Sequence, residues 1–139
     1  MSAPTVFQFE KIEWDDAASS LDRSDRGSRE LADRARSSGA RRKKIVRGEC
    51  GFFMNRSVMP AHFRVPPHHH DHDELIVVLS GGCSFDDDGA VLGPGDSIVI
   101  HANTHYGFTC GRDGMDFLTV RTGEAQVAID TDGRTDSSR

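Results

Sequence analysis

Long apolar runs are missing from this chain. No stretch approaches the roughly eighteen residues that a membrane-spanning helix needs, and the N-terminal region holds no apolar block behind a basic start, the pattern of a secretion leader. A soluble, cytoplasmic protein is expected. Cysteine is scarce too: Cys50, Cys83 and Cys110 are three in number and form no CxxC pair, which argues against a disulfide framework or a cysteine zinc site. A surplus of positive charge is also absent. The net charge is −5, whereas a binder of nucleic acid or of an anionic membrane surface needs a basic field across the domain. The expected partner is therefore a small molecule, with neither nucleic acid nor membrane. The 139 residues suffice for one core.

Helical periodicity is almost as rare. Residues 5–14, TVFQFEKIEW, read as a short strand. Residues 15–44 are dominated by Ser, Arg, Asp and Ala, with Leu21 and Leu31 as the only large apolar side chains, too little area to offset the entropy of ordering a long segment. One helix is expected there, over residues 28–36, with Ser28 as N-cap and Leu31 facing inward. The basic run Arg34, Arg36, Arg41, Arg42, Lys43, Lys44 and Arg47 reads as a solvated flank, with a role in holding an anion as the alternative.

After residue 44 the texture changes. Short apolar or alternating runs at 45–46, 51–59, 62–65, 75–79, 90–92, 97–100, 106–109, 115–121 and 124–129 follow one another at the spacing of an all-β sandwich or barrel. Turn residues cluster at 80–82, 88–89, 93–96 and 111–114. The expected division is an N-terminal strand and charged, flexible flank over residues 1–44, a β-barrel over 45–129 and a disordered tail over 130–139.

The chemistry concentrates in residues 66–81, PPHHHDHDELIVVLSG. Side chains alternate faces in extended chain, so His68, His70, His72 and Glu74 share one side, while His69, Asp71 and Asp73 share the other. Imidazoles with a carboxylate suit first-row divalent ions. A second motif, PGDSIVIHANTHYGF at residues 94–108, offers His105 after a Pro-Gly-Asp turn and a strand.

With these two motifs the chain resembles the cupins. Their first motif, G-x5-H-x-H-x3,4-E-x6-G, is met by His68, His70, Glu74 and Gly81. Their second, G-x5-P-x-G-x2-H-x3-N, is met in part by the residues from Gly95 to His105. His62 stands at the leading glycine of the first motif, His101 at the proline of the second and Thr109 near its asparagine. The resemblance spans residues 45–121.

It implies a single-domain jelly-roll β-barrel in which His68, His70, Glu74 and His105 bind one divalent transition metal, Fe(II) being favoured over Mn, Ni, Cu or Zn. His72 is placed at the rim, with a role as an extra ligand the alternative, and His69 facing away. The activity implied is that of a mononuclear non-haem dioxygenase acting with O2 on a small diketone, hydroxyketone or aromatic substrate. Glu74 would also serve as a base, and His101 as an acid or base at the pocket mouth. Metal-dependent isomerase or lyase chemistry, or binding without turnover, are the alternatives. Phe52, Met54, Phe63 and Phe85 are candidate lining residues, and His62 a candidate at the mouth. Arg56 and Arg64 are candidate anchors for a substrate carboxylate, and Cys83 with Tyr106 a candidate pair near the metal. A homodimer is expected, with residues 5–14 adding a strand to a neighbour.

Overall fold

The computed structural model describes residues 3–16, 26–87, 89–124 and 128–130, so the expected tail, apart from Asp130, lies outside the described residues. These contain nine strands: β1 (Asp15–Asp16), β2 (Arg41–Arg47), β3 (Phe53–Met59), β4 (Arg64–His69), β5 (Glu74–Phe85), β6 (Val91–Leu92), β7 (Ser97–Ile100), β8 (Tyr106–Arg121) and β9 (Ala128–Ile129). One α-helix, α1 (Arg26–Ser38), accompanies them. The long strands β5 and β8 pair antiparallel along their lengths. On its other edge β8 takes β4 near its start and β3 near its end. The free edge of β5 takes β7 and then β6. Beyond β3 lie β2 and β1, and beyond β4 lies β9, so the sheet curls into a jelly-roll barrel with a polar, partly helical N-terminal flank.

Two glycine clusters that read as turns lie inside the long strands instead. Register shifts between Val78 and Ser80 and between Gly81 and Cys83 mark bulges that bend the β5–β8 pair without reversing it. Gly81 has φ +71°, and a Cβ there would stand 2.1 Å from the Gly114 carbonyl oxygen. Only glycine lets the two backbones approach so closely at the bend.

Alternation then builds the core. Ile76, Val78 and Phe85 on β5 meet Phe108, Met115 and Phe117 on β8, all buried. Leu31, Ala32 and Ala35 of α1 join this cluster. The helix is longer than expected and starts at Arg26, so Ser28 is not its cap but a fully buried residue within it.

The basic run is not a solvated flank along its whole length. Residues 41–47 form β2, with Arg42 and Lys43 both buried on opposite faces. The alternation is real, but both faces carry cations, which hides it from a hydrophobicity pattern. Lys43 is covered by the segment expected to be a strand. Residues 9–11 form a 3₁₀ turn, and the rings of Phe9 and Trp14 meet edge to face at 5.8 Å. The Lys43 ammonium donates to the Phe9 carbonyl at 2.7 Å and lies 3.6 Å from the Phe9 ring centre. A cation beneath aromatic rings, rather than a neighbouring edge, holds this segment.

Candidate active site

The histidine-rich stretch is not a single strand. β4 ends at His69 and β5 begins at Glu74, with the chain turning through residues 70–73. The Ala102 N–H donates to the Asp73 carboxylate at 2.9 Å, and the Asn103 N–H to the His70 carbonyl at 2.6 Å, which fastens the turn to the residues after β7. As a result His68 and His70 enter the barrel from one strand and its end, and Glu74 from the next. All three are buried. They line a cavity with Arg42 of β2 and with Tyr106, Thr119 and Arg121 of β8, while Leu31 and Ala35 of α1 close its apolar end.

Glu74 is the hub. Its Oε1 accepts from the Tyr106 hydroxyl, and its Oε2 accepts from Arg121 Nε at 2.9 Å and Nη2 at 2.8 Å. His70 Nε2 lies 3.2 Å from the Tyr106 hydroxyl oxygen and 3.7 Å from Glu74 Oε1. His68 donates Nδ1–H to the Pro66 carbonyl at 2.9 Å, which leaves the lone pair on Nε2. Its ring centre is 4.2 Å from that of Tyr106.

Burial and charge set the protonation states. Burial alone would raise the Glu74 carboxyl, but Arg121, His70 and the Tyr106 hydroxyl outweigh it and hold Glu74 below the usual carboxylate range. Desolvation, then the adjacent Glu74 charge, pushes the Tyr106 phenol well above its ordinary value. His68 is lowered to about 4, chiefly by burial. Arg42 is lowered to about 10 by burial and by repulsion from Arg121. The floor of the cavity therefore holds a carboxylate, a phenol, neutral His68 and two guanidiniums.

The fourth expected ligand lies elsewhere. His105 is exposed on the outer side of the barrel, its Nδ1 2.5 Å from Asp130 Oδ2. The inward position belongs to Tyr106, the only tyrosine in the chain. Counting the second motif from Gly95 places its histidine at residue 106, and the period-two run Tyr106, Phe108, Cys110 points the same way. His105 drew the assignment because it is a histidine one position early. His101 is also exposed and shares an outer groove with His105 and Thr104. His69 faces away from the cavity. The His72 side chain is largely covered; its ring centre is 5.5 Å from that of His70, and its Nε2 has no hydrogen-bond partner among the described residues.

Of the weaker candidates, Phe63 lines the cavity, while Phe52 is exposed and His62 is an exposed loop residue with φ 61°. Arg56 and Arg64 form ion pairs with Asp116 and Asp86, so the cavity's cations are Arg42 and Arg121 instead. Cys83 pairs in register with Cys110, and both are buried.

Ligands adjacent to each other around a first-row ion, each bonded at about 2.0–2.2 Å, stand roughly 3 Å apart. His70 Nε2, the Tyr106 oxygen and Glu74 Oε1 already have separations of this order. Arg121 occupies the remaining carboxylate oxygen, and Pro66 sets the His68 tautomer, as outer partners of metal ligands do. The donor types thus suit one divalent ion held by His68, His70 and Glu74, but among the described residues these three do not stand within the spacing of a ready-made site, so His68 would have to move closer, with Tyr106 at the corner expected for His105.

The sequence profile of the cupin domain matches residues 55–121. Among solved structures, an RmlC-like cupin from Shewanella frigidimarina is similar at 18% identity, over 87% of this chain and 93% of that one, with a TM-score of 0.60. KdgF from Halomonas sp. is similar at 16% identity, over 95% and 99%, with a TM-score of 0.61. The polyketide cyclase RemF from Streptomyces resistomycificus is similar at 25% identity, over 66% and 71%, with a TM-score of 0.55. Among curated protein sequences, none matches.

Proposed function

Given that the chain belongs to the cupin superfamily, we propose that it is a metal-dependent enzyme that moves protons on a small anionic organic substrate, as an isomerase, lyase or cyclase does. The observation that carries this reading is the Glu74–Tyr106–His70 chain at the floor of a cavity that also holds Arg42 and Arg121. The Arg42 and Arg121 guanidiniums lining the cavity favour an anion, and low-dielectric walls strengthen that preference. Glu74 holds the Tyr106 proton in place, and the Tyr106 hydroxyl delivers it to the substrate. The apolar end beneath α1 receives the substrate's carbon skeleton and excludes water. A divalent ion held by His68, His70 and Glu74 would polarise a substrate oxygen. The likeness to a protein described as a polyketide cyclase agrees with enol chemistry of this kind.

Dioxygenase chemistry is the second reading, because two histidines and one carboxylate are the donor set of many non-haem iron oxygenases. Two measurements on keto acids and diketones separate the readings: deuterium uptake from heavy water and oxygen consumption. Proton transfer predicts deuterium incorporation without oxygen uptake. Tyr106→Phe should lower that rate about 10²–10⁴-fold while retaining fold and metal content. Oxygen consumption with no exchange would replace the first reading by the second.

A further inference from the structure

His105, displaced from the cavity, has a defined partner set on the outer face. His69 at the end of β4, His105 just before β8 and Asp130 just after β9 bring three donor atoms within 4.8 Å of one another. His69 Nδ1 lies 2.9 Å from Asp130 Oδ1, and His105 Nδ1 lies 2.5 Å from Asp130 Oδ2. The two imidazoles stack at 4.5 Å with 26° between their planes. Asp130 is mostly covered, with 19% of its side chain exposed, and His105 at 61% stays open to solvent. Three donors from three separate parts of the chain converge, and one side remains accessible.

We propose that His69, His105 and Asp130 form a second divalent transition-metal site, outside the barrel, that clamps β9 to the body of the protein. Two imidazoles and one carboxylate suit Zn(II), Ni(II) or Co(II), with water filling the remaining positions. The N···O separations already approximate those of adjacent ligands around such an ion, so closure needs only small side-chain movements. The clamp has something to hold. Among the described residues β9 covers Ala128–Ile129 and pairs with His68 and His69 of β4. It also packs against α1, whose Leu31 and Ala35 close the cavity. An ion here therefore fixes the strand that supports the cavity's cover. This site does not depend on the reading of the interior.

Metal alone is the probe. Tag-free full-length protein, stripped with chelator, is titrated with Co(II) and with Zn(II) by calorimetry, while the imidazole signals of His69 and His105 are followed by NMR. In a His70→Ala background, which disables the interior, one site should remain, and its binding should perturb both imidazoles. His105→Ala and Asp130→Asn should each weaken that site at least tenfold, with thermal melts of the metal-free variants close to that of their parent. If His70→Ala does not fold, the NMR titration of the parent chain decides, because it resolves His69 and His105 directly. The proposal is overturned if neither imidazole responds to the ion, or if both variants bind with unchanged stoichiometry and affinity; the three residues are then a hydrogen-bonded fastening only.

Discussion

At the scale of single residues, the cavity shows how burial selects protonation. His68 falls from 6.5 to about 4 in the fold. Between those two values the unfolded chain takes up a proton that the native state refuses. The stability contributed by neutral His68 is therefore complete above pH 6.5 and is lost as pH drops towards 4. The loss approaches about 3 kcal/mol. Urea unfolding of metal-free protein at successive pH values should show this slope, and His68→Gln should flatten it. If the slope is the same in the variant, His68 is not its source. The spacing in the sequence indicated that His68, His70 and Glu74 meet, and they do line one cavity, but strand parity is not the reason, because the chain turns between His70 and Glu74. Tyr106 was not legible there, because a phenol carries no ligand signal and a histidine stood beside it. Arg42 was legible only as one member of the basic run for which holding an anion was the alternative reading, because its sequence neighbours Arg41 and Lys43 are cations too.

At the scale of elements, the two long strands decide the shape. β5 and β8 stay paired through a bend in which Gly81 and Gly114 touch backbone to backbone. Gly81→Ala would force a Cβ against the Gly114 carbonyl at a positive φ, and the expected cost is ~3 kcal/mol or more. A thermal melt checks this; a variant as stable as the parent would mean that the bend can relax. Glycine pairs signal turns and bulges alike, so the sequence indicated the places where the chain bends but not that the strands continue through them. The strand expected over residues 5–14 failed for a different reason. Its apolar residues alternate, but Phe9 and Trp14 are used to cover Lys43 instead of extending a sheet.

At the scale of the whole molecule, the spacing of apolar runs indicated an all-β sandwich or barrel, the cupin resemblance narrowed this to a jelly-roll barrel, and the described residues show that strand-rich body with one α-helix. Among the described residues no helix is long and apolar enough to cross a membrane. The N-terminal segment folds back on its own barrel, with Phe9 against Lys43 and Arg56. The homodimer proposed for the chain should therefore survive removal of residues 1–14. Size-exclusion chromatography of the shortened chain should give the elution of the full-length protein, and a shift to half the mass would restore the segment as the contact between copies.

Because Tyr106 is the only tyrosine in the chain, the site contains its own chromophore. Any ultraviolet signal of an ionised phenol comes from the point where Glu74 and His70 meet. That band should be silent in metal-free protein well into alkaline solution, since the phenol is held protonated. On metal addition it should stay silent, because proton delivery by Tyr106 requires the hydroxyl to remain intact beside the ion; a band that appears with the metal and is lost in Tyr106→Phe would make the phenolate a ligand and remove Tyr106 as proton donor. A plain absorbance titration can thus report, without substrate, label or assay, whether the Tyr106 proton survives metal binding.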